Sequence, residues 1–268
     1  MGWLAGFLLI NPRSGSGSPD AEELRRAADE RGVRVHVLGE DDDVAKVARG
    51  ASDADALGMA GGDGSLAAVA EVAIERELPF VCIPFGTRNH FARDVGLDRD
   101  DPLAALDSFG GRESRIDVGA VNERLFLNNV SLGVYARLVH RREHHRRRRI
   151  ALARLRALWL TARERHGLRG RVDGDAVDAR VIFVGNNAYE LDLFNVGARE
   201  RLDEGLLHLY TLEGWLPHEW TDRKGERFEV ETAGPVEAAI DGEPVELDSP
   251  LRFEVRPGAL RVLLPPGA

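Results

Sequence analysis

The sequence predicts an α/β protein of two domains: a parallel α/β domain, then a β-rich, sandwich-like one. Three observations carry this expectation. In the first third of the 268 residues short apolar runs alternate with amphipathic stretches, glycines gather where those runs end, and from about Asp117 strand-like runs dominate. Repeated strand, helix, strand units imply a parallel sheet covered by helices, with ligands bound at the carboxyl ends of its strands.

The first strand is expected at Trp3 to Ile10, an apolar run that a turn-rich loop ends. A helix is expected from about Pro19 to Arg31, since proline suits a first helical turn. Val33 to Leu38, Ala54 to Ala60 and Phe80 to Pro84 read as further strands, separated by helical stretches at Asp43 to Arg49 and Leu66 to Glu77. Past Asp117, strands are expected at Leu125 to Val130, Val177 to Val184, Leu206 to Tyr210, Phe228 to Val230, Val236 to Ile240 and Leu251 to Val255. One long helical stretch, Arg147 to Arg165, interrupts them.

Composition narrows the function classes. With 43% hydrophobic and 30% charged residues the chain is neither disordered nor fibrous. A lone cysteine, Cys82, excludes an intramolecular disulfide, and no His/Cys cluster has zinc-ligand spacing. No run approaches the roughly 18 apolar residues of a membrane span, and Met1 to Ile10 lacks the basic start and cleavage site of a signal peptide, so a cytoplasmic protein is expected. The net charge of −9 hides an asymmetry: Arg141 to Arg165 holds ten arginines against two glutamates, a local +8, leaving −17 elsewhere. An acidic body argues against nucleic acid as a partner. The basic stretch, where Leu152, Leu155, Leu158 and Trp159 recur at helical spacing, reads either as a solvated face over a packed stripe or as peripheral contact with an anionic membrane. The oligomeric state, a homodimer included, stays open.

Three loops at one sheet edge carry the chemistry. Asn11-Pro12-Arg13-Ser14-Gly15-Ser16-Gly17-Ser18 follows the first strand, where small residues let backbone N–H groups approach an anion and the next helix N-terminus adds positive potential. An ordinary βα turn is the plainer reading, and no Gly-Lys-Ser/Thr makes it a Walker A loop. Gly61-Gly62-Asp63-Gly64-Ser65 closes a later strand and opens a helix. A carboxylate among phosphate-binding glycines would repel phosphate unless a metal mediated, so Asp63 suggests Mg²⁺ with a nucleotide; an Asp-capped tight turn is the alternative. Gly86, Thr87 and Asn89 of Pro84-Phe85-Gly86-Thr87-Arg88-Asn89-His90-Phe91-Ala92-Arg93 would face the same ligand.

These blocks, in this order and spacing, resemble the catalytic domain shared by soluble bacterial diacylglycerol kinases and sphingosine kinases. The resemblance continues through Asp117-Val118-Gly119, Asn128 to Gly133, Leu202-Asp203-Glu204-Gly205-Leu206, Asp241-Gly242-Glu243 and Pro257 to Val262, covering nearly the whole chain. It implies a nucleotide-binding domain of the NAD kinase/diacylglycerol kinase type and a β-rich lipid domain, which the change of pattern near Asp117 bounds at 1–116 with 253–268 and at 117–252. It implies ATP and Mg²⁺ as cofactors and transfer of the γ-phosphate to a lipid hydroxyl such as diacylglycerol. The family's proposed base maps to Glu243 within the Asp241 block, although Ile240 to Glu243 is also a good hairpin turn. Its structural Mg²⁺ site, an acidic side chain and two backbone carbonyls, maps to Glu204, Arg201 and Leu206.

The chain departs from the family pattern at Ala67-Ala68, where Asn-Glu is usual, and at His90, where aspartate is usual. A histidine supplies no anionic charge to a metal network. A catalytically weak nucleotide-binding regulator is therefore the second reading, and NAD kinase, which shares a Gly-Gly-Asp-Gly loop, the third.

Overall fold

The computed structural model describes residues 5–15, 19–87, 89–133, 168–192, 195–213 and 220–266. The chain divides into two compact units: Met1–Val118 with Ala198–Glu204 and Arg256–Ala268, and Gly119–Gly197 with Gly205–Val255. The first unit thus takes in the short stretch 198–204, which the strand pattern alone leaves within the β-rich half.

The first unit is wound β1 (Gly6–Ile10), α1 (Ala21–Glu30), β2 (Arg34–Val37), α2 (Val44–Gly50), β3 (Ala56–Gly61), α3 (Asp63–Glu75) and β4 (Phe80–Pro84). The strands lie in the order β2-β1-β3-β4 and all pair in parallel, with Ile10 beside Ala60 and Gly61 beside Pro84. That register brings the carboxyl ends of β1, β3 and β4 level, so the three loops leave the sheet at one edge. Every residue of β3 and β4 is buried, as expected of central strands covered on both faces, and Cys82 sits among them. Small residues make room for the ring of Phe109: a Cβ on Gly6 or Gly58 would come 2.5 or 2.7 Å from it.

Helix starts depart from the expectation where capping decides them. Helix α1 starts at Ala21 rather than near Pro19, capped by Asp20: its carboxylate accepts the Glu22 and Glu23 N–H groups at 2.9 and 2.8 Å, while the Glu23 carboxylate accepts the Asp20 N–H. Helix α3 begins at Asp63 rather than Leu66, drawing Asp63, Gly64 and Ser65 into its first turn. After β4 come two short helices that the sequence pattern does not announce, α4 (His90–Asp94) and α5 (Pro102–Ala105), then a 3-10 turn over Leu106–Gly110.

Strand β5 (Arg112–Val121) carries the chain to the second unit, followed by β6 (Arg124–Phe126), β7 (Asn129–Gly133), β8 (Leu168–Val172), β9 (Asp175–Ala179), β10 (Val181–Asn186), the small pair β11 (Leu191–Asp192) and β12 (Asn195–Val196), β13 (Leu207–Leu212), β14 (Trp220–Gly225), β15 (Arg227–Thr232), β16 (Val236–Ile240), β17 (Glu243–Leu247) and β18 (Leu251–Leu264). An antiparallel sheet ordered β14-β13-β10-β7-β16-β17 forms one layer. The run β15-β8-β9, joined by the early residues of β18, forms the other. One core unites them, with Val130, Ile182 and Leu209 from the first layer and Val172, Phe228 and Phe253 from the second. This is the expected sandwich.

Two expected strands are each split. Leu125 to Val130 becomes β6 and β7, because the intervening N–H groups bond to the Asp241 carboxylate instead of a strand. Val177 to Val184 becomes β9 and β10, broken at Arg180, whose N–H goes to the Leu212 carbonyl. Conversely, β18 runs on past Val255, where the expected strand ends, and through Pro257-Gly258. Gly258 takes φ 58° and its N–H finds the Asp117 carboxylate at 2.8 Å, so the strand survives, and Val262 reaches Phe80 of β4 in parallel.

The basic stretch Arg141 to Arg165, its helix from Arg147, Arg88, and Ser16 to Ser18 lie outside the described residues. Among the described residues no helix is long and apolar enough to cross a membrane.

Candidate active site

Asn11 builds the first loop. Its side-chain oxygen accepts the Arg13 N–H and its carbonyl the Ser14 N–H, both at 3.1 Å, while its own N–H ties it to Ala60 at the end of β3. Pro12 is exposed, and Ser14 and Gly15 are half-buried. The positive potential expected from the next helix is already spent, because Asp20 occupies the start of α1 and Glu22 and Glu23 follow in its first turn.

The second loop is built differently. Gly62 caps α3 without a side chain, and a Cβ there would point into open space. The first turn of a 13-residue helix therefore meets that space unscreened by any cap. The Ser65 hydroxyl turns back to the Gly62 carbonyl at 2.9 Å and braces the turn.

In the third loop the Asn89 amide clasps Gly86, accepting its N–H at 2.8 Å and donating to its carbonyl at 2.9 Å. Asn89 holds a left-handed conformation, φ 48°, and precedes α4 as its cap residue, yet its side chain is committed to Gly86. The cap is supplied from elsewhere: Asp63 accepts the Phe91 N–H at 3.0 Å and the His90 N–H at 3.2 Å, one on each oxygen. One carboxylate thus serves two helix starts, as a first-turn acid on α3 and as the cap of α4.

The three loops do converge. A Cβ on Gly15 would lie 2.5 Å from the Phe85 ring, and one on Gly86 would lie 2.6 Å from the Gly62 Cα, so the first and second loops each touch the third. Thr87 is exposed beside them. Ala67 and Ala68, the small residues of the second loop's helix, are half-buried. Below the site, burial pushes the Cys82 thiol well above its ordinary value, and the Asp63 charge adds to the shift.

In the second unit, Asp241 and Gly242 form the β16–β17 turn with φ 48° and 86°, the conformation an Asp-Gly hairpin favours. The Asp241 carboxylate is buried and accepts three N–H groups, from Leu127 at 2.8 Å, Asn128 at 2.8 Å and Asn129 at 3.0 Å. Glu243, opposite Ile240 at the start of β17, is exposed. Of the mapped structural metal residues, Arg201 and Glu204 belong to the first unit and Leu206 to the second. The Leu206 carbonyl accepts the Asn187 N–H at 3.0 Å, and the Arg201 guanidinium pairs with Asp203 at 3.0 Å.

Among the described residues no three His, Cys, Asp or Glu side chains group to hold a metal ion. Mg²⁺ commonly takes one or two protein carboxylates and completes its octahedron with phosphate and water. The donor set fits a cation that arrives with a nucleotide, and Asp63, with lone pairs beyond its two N–H partners, is the carboxylate placed to meet it.

Sequence reasoning missed Asp94 and Arg199. Both side chains are fully buried, and they pair at 2.8 Å, while Arg93 reaches the other Asp94 oxygen at 2.7 Å. Lying 105 residues apart, they left no local signal.

Residues 5–121 match the model of the diacylglycerol kinase catalytic domain. The chain is 31% identical to a Pseudomonas aeruginosa protein described as "Probable lipid kinase YegS-like", over 89% of this chain and 86% of that one. It is 28% identical to a Cronobacter sakazakii protein of the same description, over 97% and 96%. A crystal structure of a diacylglycerol kinase from Bacillus anthracis str. Sterne superposes with a TM-score of 0.69 at 19% identity, over 97% of both chains, a likeness of fold. With the loop architecture and the relatives in agreement, this chain belongs to the lipid kinase family built on the diacylglycerol kinase catalytic domain.

Proposed function

We propose that the protein transfers the γ-phosphate of ATP to the hydroxyl of a membrane lipid such as diacylglycerol, with Mg²⁺. The observation that carries the reading is the contact of Gly62 with Gly86 before an uncapped α3. Two backbones approach there with no side chain between them, and an added Cβ at Gly62 would fill only open space. That arrangement suits phosphate oxygens, which helix and loop N–H groups can bind directly.

In this reading Gly61 to Ser65, Gly86 and Thr87 hold the phosphates, and Asn11, Pro12, Ser14, Gly15 and Asn89 shape the loops around them. Asp63 would hold Mg²⁺, which when bound neutralises charge building on the phosphates. Glu243 takes the proton from the lipid hydroxyl as its oxygen attacks the γ-phosphorus. The new P–O bond forms as the bond to the bridging β,γ-oxygen breaks, and ADP leaves. Asp241 supports that role from behind: its carboxylate is committed to Leu127, Asn128 and Asn129, and it fixes the turn from which Glu243 projects. Glu204, Arg201 and Leu206 remain the proposed second cation site. Peripheral contact through Arg141 to Arg165 would bring the protein to its lipid.

Phosphate transfer from labelled ATP to diacylglycerol, a sphingoid base, phosphatidylglycerol and NAD in parallel tests the reading. Glu243→Gln is expected to lower kcat on the lipid by about 10²- to 10⁴-fold while ATP binding persists. Transfer to NAD instead would replace the reading. ATP binding without transfer to any lipid would favour a regulator, the outcome to which Ala67, Ala68 and His90 lend weight.

A further inference from the structure

Helix α4 has five residues, too few to hold its own place, and the structure anchors it at both ends through side chains remote in sequence. At its start, Asp63 of the second loop accepts the His90 and Phe91 N–H groups. At its end, Asp94 is fully buried and bonds the fully buried Arg199 at 2.8 Å. Arg199 lies on Ala198–Glu204, the short stretch that the first unit takes in between Gly197 and Gly205. That stretch is itself fastened where the Leu202 carbonyl accepts the Asp117 N–H at 2.7 Å, and Asp117 in turn holds the Gly258 N–H.

We propose that Arg199 is a positioning residue for the nucleotide site, acting through Asp94 and α4 on the Asp63 carboxylate and on the Asn89–Gly86 clasp. A buried guanidinium–carboxylate pair has one good geometry and a large cost for any other, so it sets the end of α4 more tightly than apolar packing would. A shift at Asp94 is carried through a single helical turn to the two N–H groups on Asp63 and to Asn89, which precedes them. Gly86, clasped by Asn89, bears on Gly62, so the phosphate loops inherit the displacement. The inference deepens the kinase reading and rests on it for the identity of the ligand, while the coupling within the first unit stands apart from it.

The test uses the full chain with Arg199→Met, Asp94→Asn, the double variant and Arg199→Lys. Two quantities are read well below each melting temperature: the Kd for Mg-ATP by calorimetry, and hydrogen exchange at the His90 and Phe91 amides without nucleotide. Each single variant is expected to weaken Mg-ATP binding about tenfold, the double variant no more than either single one, and Arg199→Lys less, with lipid KM unchanged in all. Exchange at His90 and Phe91 is expected to accelerate in Arg199→Met. Should that variant fail to fold, the double variant, which removes both charges of the fully buried pair, carries the test alone; Arg93, which also pairs with Asp94, is partly exposed and can turn to solvent. Parent-like exchange at both amides in folded variants overturns the inference, as does parent-like Mg-ATP affinity. A parent that binds no Mg-ATP while exchange accelerates in the variants strikes the kinase reading and leaves the anchor standing.

Discussion

Asp63 and Asp241 begin from the same local material, an aspartate beside glycine at the end of a strand, and end as different objects. Each gives both oxygens to backbone N–H groups far along the chain. Asp63 accepts two such groups, stays half-buried, and stands next to a glycine whose missing side chain leaves open space. Asp241 accepts three and is sealed from solvent. A carboxylate with three N–H donors in a buried turn is a structural post, and in the proposed reaction proton transfer would fall to its exposed neighbour Glu243. A carboxylate with two donors at the lip of an uncapped helix keeps lone pairs for a ligand. What separates the two is the number of donors and the space beside them, neither of which residue type reveals.

The largest effect should come from breaking the sealed post. Asp241→Ala leaves three N–H groups without their acceptor, and at about 1 to 3 kcal/mol for each buried unsatisfied donor the loss should reach about 3 kcal/mol or more in urea unfolding. A loss below about 1 kcal/mol would mean that water or another group satisfies Leu127, Asn128 and Asn129 and that the post is not one. The open side of the contrast is sharpened by Gly62→Ala. Its Cβ meets nothing within 4 Å and its φ of −83° suits alanine, so stability should change by less than about 1 kcal/mol. Mg-ATP affinity should nevertheless fall about tenfold, because the methyl occupies the space proposed for phosphate. Gly86→Ala is the control in which both properties fall, since its Cβ would press on the Gly62 backbone.

The smallest effect belongs to a third way of holding a carboxylate. Glu113 is held by the Arg261 guanidinium at 2.6 Å near the surface, and that hydrogen bond keeps its carboxyl below the usual glutamate value of 4.5. A lowered folded-state value stabilises above the unfolded value and ceases to do so as pH falls through the folded one. Arg261→Gln should therefore cost less than about 1 kcal/mol at pH 7, and its stability should approach the parent's as pH falls below about 4.5. A gap that widens on acidification would contradict that assignment.

Local chemistry made much of the molecule legible. Phe80 to Pro84 and Val236 to Ile240 are strands with the expected bounds. The edge on which the three loops meet was legible too, since parallel register follows from the alternation of strand and helix. Helix α1 begins at Ala21, just past the expected Pro19, because Asp20 and Glu23 close a capping box there. What escaped were bonds closed across long separations. The Leu125 to Val130 strand is cut by a carboxylate 112 to 114 residues away, and Asp63 reaches its two N–H partners over 27 and 28. Periodicity reports which face of an element is buried, and it is silent on which distant side chain will claim a backbone N–H.

Cys82 lies in the middle of β4 with its thiol sealed and its ionisation suppressed, and it is the chain's one cysteine. Folded protein should accordingly ignore a water-soluble thiol reagent, and labelling should proceed only through molecules whose central sheet has come apart. The protein carries its own clock for that event: the labelling rate, followed by intact mass, reports how often β4 is exposed, with no residue changed to install the probe. Slower labelling in the presence of Mg-ATP would give nucleotide affinity from the same reaction, free of any lipid or enzymatic readout.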